Sequence, residues 1–188
     1  MAVNTANAGS WAMGDVLIAP LTAVNPAKGA AFGIDWKFVG LLDGGQGFEE
    51  GRDSDSKKHF AWGGVLVEVS DSKYEQTAAF TALENNPVIP QLVYPGSTFT
   101  EGVKGNQYEG VEVVPTKEKF KIAFQTQRSD GTIERKITKN YATLSGWPSK
   151  SKTEDDLESV KVTVAIFPLY NAATGKYELY DVYAGPKA

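Results

Sequence analysis

The chain has 188 residues, enough for one domain that buries roughly 70% of the surface its unfolded form exposes. Apolar residues make up 41% and charged residues 22%, which excludes wholesale disorder, and the lack of any cysteine excludes disulfide frameworks and thiolate metal sites. The net charge of −4 argues against a surface built to grip nucleic acid, which needs clustered Lys and Arg to displace counterions.

In chain order, residues 1–13 read as a flexible N-terminal arm of small and polar side chains. They lack the basic and apolar regions of a secretory signal, and no apolar run in the chain reaches the length of a membrane span, so a soluble intracellular product is expected. Residues 15–21 form a short strand that Pro20 interrupts or confines to an edge, and residues 22–33 form a loop. Two apolar strands, 36–42 and 61–69, bracket a glycine-rich, charged insert over 43–60 that is expected as a long loop. Asp71-Ser72 fits a tight hairpin into an alternating strand that places Tyr74, Gln76, Ala78 and Phe80 on one face. Asn85 or Asn86 as cap and Pro87 as first residue predict a helix, kept short by Pro90 and stopped by Pro95-Gly96.

A second long polar loop is expected over 96–119, followed by renewed alternation at Phe120, Ile122 and Phe124. Asp130-Gly131 signals a hairpin whose return strand carries Ile133, Ile137 and Tyr141. A charged linker spans 149–156. The most regular strand has Val160, Val162, Val164 and Ile166 on one face, and a turn at Thr174-Gly175-Lys176 leads into a last strand over 177–184. Eight or nine strands with hairpin connections predict a mainly β chain: one domain over 1–188, an antiparallel sandwich or barrel with one short flanking helix and long loops. The core is expected to draw on Trp36, Phe38, Trp62, Val65, Val67, Phe80, Phe120, Ile122, Phe124, Val162, Val164 and Ile166.

The chemistry-bearing residues are sparse. His59 is the only histidine; a general-base role beside Asp53 or Asp55 would need a held geometry, and its hydrophilic setting next to Lys57-Lys58 points to a solvated side chain. Asp53-Ser54-Asp55-Ser56 opens like a calcium loop, but Lys57, Lys58 and His59 follow and Gly64 stands where the last acidic ligand belongs. Gly44-Gly45-Gln46-Gly47 fits no phosphate-binding pattern. Glu49-Glu50 and Glu154-Asp155-Asp156 lie in charge-rich stretches where nothing separates two carboxyl pKa values for glycoside hydrolysis. The aromatic residues fall mostly at strand positions that suit core packing better than a sugar platform. No catalytic, cofactor-binding or metal-ligating residue is expected, and no cofactor.

Taken in order, Gly14-Asp15-Val16, Trp36-Lys37-Phe38-Val39-Gly40 with Asp43-Gly44, Ala61-Trp62, and the run from Thr77-Ala78-Ala79-Phe80-Thr81 to Asn85-Asn86 resemble a known family. It is that of the major tail (tail tube) proteins of long-tailed, non-contractile bacteriophages, of the kind found in phages of actinobacteria. The resemblance covers about residues 14–95, and beyond them only the β pattern. It implies a β-sandwich or half-barrel protomer related to the type VI secretion tube protein, with six copies closing a ring and rings stacking into the tube through which the genome leaves. The implied protein is a non-enzymatic virion component, assembled in the host cytoplasm, without a membrane partner. Its implied partners are itself, the tape measure protein and the tail-terminator and baseplate proteins, with DNA in transit and not specifically bound.

Physical considerations agree with this expectation. Pairing open sheet edges around a ring removes a liability of the monomer. The polar stretches 43–60 and 96–119 are expected to be mobile in the free subunit and to order between subunits, and a mildly acidic chain suits a lumen that does not trap DNA. A carbohydrate- or receptor-binding β-sandwich of a phage fibre or cell-surface protein is the alternative, and a small β-sandwich hydrolase a third reading.

Overall fold

The run Val16-Leu17-Ile18-Ala19 has no polar face to offer water, and the fold asks for none: all four residues are buried. They belong to β1 (Trp11–Ala19), held between β2 (Lys37–Phe38) and β7 (Lys121–Arg128). The computed structural model describes residues 11–83, 88–95, 98–102, 105–110, 116–151, 154 and 157–186. β8 (Thr132–Thr138) and β14 (Tyr180–Pro186) complete this first sheet in the order β14-β8-β7-β1-β2. The second sheet runs β10 (Ser149–Ser151), β11 (Ser159–Phe167), β4 (Leu66–Ala82), β3 (Phe48–Phe60), with β9 (Tyr141–Leu144) on the same side of β11 as β10. Every pair is antiparallel. Bridges Leu42↔Ala82 and Phe120↔Ala142 join the sheets at two corners, so the mainly β fold curls into a half-barrel.

Between the sheets lies the principal core. β11 supplies Val160, Val162, Val164 and Ile166, the alternation its sequence predicts. β4 adds Ala78, Phe80 and Ala82, β1 adds Val16 and Ile18, and β7 adds Ile122 and Phe124. Phe124 meets Phe48 and Phe80 edge-on at 5.5 and 6.5 Å. The helix α1 (Val88–Val93) covers one end with Ile89 and Leu92. A smaller cluster on the other face of the first sheet holds Leu17, Ala19, Ala23, Trp36, Ala123 and Ile137 beneath the chain of residues 20–36.

That covering loop is fastened by polar groups. Trp36 Nε1 donates to Val24 O at 3.1 Å. The buried Arg135 donates from Nη1 to Ala30 O at 2.7 Å and from Nε and Nη2 to Gln125 Oε1 at 3.0 and 2.7 Å. Its guanidinium also lies over the Phe32 ring, 4.2 Å from the centroid. Burial holds the Arg135 pKa below its ordinary value.

Several expectations are corrected. Residues 11–13 are strand and not arm; residues 1–10 lie outside the described residues. The stretch 36–42 contributes only the two-residue β2, because Gly40 takes a positive φ and turns the chain. The stretch 43–60 is a turn followed by the 13-residue β3, paired along its length with the 17-residue β4. An exposed ribbon needs no apolar period, so charge and glycine there disguised a strand. The turn of this hairpin is at residues 61–65, where Gly63 and Gly64 have φ of 95° and 80°. Asp71 and Ser72 instead pair with Ser56 and Asp55 inside the ribbon, next to a register shift and a positive φ of 54° at Lys73.

In consequence Trp62, Val65 and Val67, expected in the core, are exposed, as is Phe38. The stretch 96–119 contains a second antiparallel pair, β5 (Thr98–Gly102) and β6 (Gly105–Gly110), and residues 111–115 lie outside the described residues. Residues 149–151, expected in a linker, pair with β11, and Tyr141 opens a strand of its own. α1 matches the expected helix, whose capping residues Asn85, Asn86 and Pro87 lie outside the described residues. With β12 (Leu169–Asn171) and β13 (Lys176–Glu178) there are fourteen strands among the described residues, against eight or nine expected. The excess comes from short pairs that carry no periodic signal.

Candidate interaction surface

β4 has two lives. Residues 76–82 pack in the core or beside it; residues 66–75 are exposed, apart from the half-buried Ser70. Gln76 marks the boundary: it is buried, and its Oε1 accepts from Arg52 Nε at 3.1 Å and from Tyr74 Oη at 3.2 Å. One step inward, Gly51 faces Thr77 so closely that a Cβ would come within 2.6 Å of its Oγ1. Outward of this point β3 and β4 continue as a two-stranded arm. At about 3.3 Å per residue, the exposed part of β4 sets the tip roughly 30 Å from Gln76.

The arm holds itself together by its backbone ladder and short polar contacts. Lys73 Nζ lies 2.8 Å from Asp55, Ser56 Oγ donates to Asp71 Oδ1 at 2.5 Å, and His59 Nε2 is 3.1 Å from Ser70 Oγ. Exposed pairs of this kind contribute little, and an isolated two-stranded ribbon is marginal in water. The tip makes the economics plainer. Residues 60–67, Phe-Ala-Trp-Gly-Gly-Val-Leu-Val, carry no charge, and Phe60, Trp62, Val65, Leu66 and Val67 are all exposed, Trp62 completely at 104%. A contiguous apolar surface on a polar stalk marks a contact surface.

The longest edge strands of the two main sheets are β3 and β14. Along its length β3 carries Glu49, Glu50, Arg52, Asp53, Asp55, Lys57 and Lys58, a mixture of signs that discourages indiscriminate pairing. β14 is the other edge, with Asp181 near its start and Pro186 at its end. Near the base of the arm, Lys136 Nζ on β8 reaches Glu50 at 3.1 Å and links the two sheets. Tyr180 is tucked beside this pair; its hydroxyl is buried without a hydrogen-bond partner among the described residues, and burial, with Glu50 and Tyr74 adding to it, pushes the phenol pKa up.

The residues considered for chemistry are not brought together. His59 stands across from Glu68, while Asp55 pairs with Lys73 and Asp53 caps Ser54 N at 2.9 Å. Gly44-Gly45-Gln46-Gly47 forms a turn in which Asp43 Oδ1 accepts from Gly45 N at 2.8 Å and Gln46 Oε1 accepts from Thr81 Oγ1 at 3.1 Å. Glu49 and Glu50 are consecutive in a strand and so point to opposite sides of the sheet. Glu154 is exposed, and Asp155 and Asp156 lie outside the described residues. Among the described residues, no three His, Asp or Glu side chains gather as a metal site.

Sequence reasoning missed the tip although a signal was present: Gly63-Gly64 at the centre of an uncharged run is a hairpin turn, not an interruption of a core strand. A scan against protein-family models and a search of curated proteins gave no match to this chain.

Proposed function

We propose that this chain is a structural virion protein that polymerises as stacked hexameric rings to form the tail tube of a long-tailed bacteriophage, the conduit for genome delivery. The observation that carries the reading is the arm, a stalk roughly 30 Å long whose apolar tip is exposed on its own protomer, Trp62 wholly so. A monomer gains nothing from such an element, whereas a polymer uses it in every subunit. The open edges of β3 and β14 support lateral closure, since edge pairing around a ring satisfies backbone groups in all copies at once. In this reading the protein performs no catalysis and needs no cofactor. It meets the tape measure, tail-terminator and baseplate proteins, and DNA passes without specific binding.

Electron microscopy of the purified protein at high concentration tests the proposal: hollow tubes of six-subunit rings are expected. Discrete monomers or trimers at all concentrations, or rings of another number, overturn it. A second reading, a carbohydrate- or receptor-binding module, draws on the exposed pair Tyr170 and Tyr177, whose rings are 5.2 Å apart. Their 54° tilt makes a poorer platform for a sugar ring than a flat face. Glycan binding by a monomer, lost on Tyr177→Ala, would favour that reading.

A further inference from the structure

Away from the arm, a groove of about 600 Å³ opens on the body of the protein where β1 ends, beside α1. Its apolar lining includes Ile18, Leu21, Ile34, Val88, Leu92 and Phe120. Leu21 and Ile34 at its lip are exposed, Ile34 to 86%. We propose that this groove is the receptor for the arm tip, residues 61–65 with Phe60 and Leu66, of a second copy of the chain. The inference rests on the polymer reading and specifies the contact that propagates it.

Three observations favour this occupant. The first is chemistry: a groove of this size takes a group dominated by aromatic and aliphatic carbon, and the tip offers an indole, a phenyl ring and aliphatic side chains around a two-glycine turn. The second is charge. The charged groups lining the groove, Asp35, Lys37, Glu118 and Lys119, balance in sign, and residues 60–67 carry none, so docking strands no net charge in a dry interface. Just below the tip, Lys57 and Lys58 on one strand and Glu68 and Asp71 on the other give each sign at the rim an opposite. The third is exposure. Phe60, Trp62, Val65 and Leu66 are exposed on their own protomer, Trp62 wholly, and none of them lines the groove, so the tip does not fill its own groove. Tip and groove are different surfaces, which makes the contact head-to-tail: each bound copy presents a fresh tip and a fresh groove, and the assembly extends without closing on itself.

Full-length Trp62→Arg removes the tip anchor, and Ile34→Arg obstructs the groove at an exposed position that folding does not depend on; unchanged circular dichroism and melting confirm that both fold. Sedimentation and electron microscopy then compare each variant, and their mixture, with the wild type. The wild type should assemble, and each variant alone should need about tenfold or more higher concentration to do so. Their equimolar mixture, in which half the tips and half the grooves are intact, should regain tip-to-groove contacts that neither variant makes alone and so recover part of the lost assembly. If the wild type assembles and Ile34→Arg assembles equally well, the tip docks elsewhere and the groove assignment is wrong while the tube reading stands. If the wild type forms open head-to-tail chains that Ile34→Arg abolishes, without six-membered rings, the groove assignment stands and the tube reading falls. A wild type that stays monomeric at every concentration overturns both.

Discussion

Phe124 and Trp62 show how differently two aromatic residues can matter. Phe124 is 5% exposed and packed edge-on against Phe48 and Phe80, so Phe124→Ala should cost about 3–5 kcal/mol in urea unfolding. Trp62, larger and bare, should change stability by no more than about 0.5 kcal/mol on Trp62→Ala, because unfolding exposes it no further. Equal losses in the two variants would mean that the tip is packed in solution. Tyr180 offers a contrast in sign: its buried hydroxyl has no partner among the described residues, so Tyr180→Phe should leave stability unchanged or raise it by up to about 1 kcal/mol. A clear loss would show that the hydroxyl is bonded after all.

The ion cluster on β8's neighbour Lys139 gives a pH dependence. Lys139 Nζ pairs with Glu178, and with Asp181 at 3.2 Å; its pKa is raised chiefly by the Glu178 hydrogen bond, while that of Glu178 is lowered chiefly by Lys139. The depressed carboxyl contributes stability above its unfolded value near 4.5, lost as pH falls through the folded one. The raised ammonium contributes below 10.5, lost as pH rises through its folded value. Glu178→Gln should therefore flatten the acid limb of a stability–pH curve measured by urea melts, and the wild type and variant should converge at low pH. An unchanged acid limb would show that the pair is too solvated to count.

At the scale of elements, the arm and the body should behave as separate units. Replacing residues 53–75 by an Asn-Gly turn joins Arg52 to Gln76, positions already paired in the ribbon, and keeps the core-facing part of β4 intact. The shortened chain should melt cooperatively close to the wild type and fail to polymerise. Hydrogen exchange should be fast in the free subunit over residues 53–75 and slow over β11, whose neighbours flank it on both sides. Assembly should slow exchange in the arm. Protection of the arm in dilute monomer, or tubes built from the shortened chain, would assign assembly to other elements.

For the whole molecule, the half-barrel leaves β3 and β14 as the longest edge strands of two joined sheets, with Tyr180 of β14 beside Glu50 of β3 and no further strand pairing either edge among the described residues. A closed ring of six subunits is the proposed resolution, with the arm supplying contacts along the tube axis. Cryo-electron microscopy of tubes is expected to give six-fold symmetry about a central channel. Image classes with another symmetry would remove the ring closure from the proposal while leaving the exposed tip to be explained.

Local pattern alone carried a good share of this fold. The alternation of Val160, Val162, Val164 and Ile166, the Asp130-Gly131 hairpin, and the helix between Pro87 and Pro95 were legible because burial on one face, a positive-φ turn and proline punctuation each leave a mark within a few neighbouring residues. The sequence by itself therefore determined a mainly β, antiparallel chain with one short helix. What it could not determine is which apolar strands meet a partner sheet. Val65, Leu66 and Val67 look like core in isolation, yet on the ribbon they are exposed, while Trp36, in no strand at all, is buried because residues 20–36 fold back over the first sheet. Burial depends on long-range pairing and on where the twist of two sheets brings their faces together. Only the tertiary structure decided that the charged stretch 43–60 is one strand of an arm and that its apolar tip and the groove beside α1 belong to different surfaces.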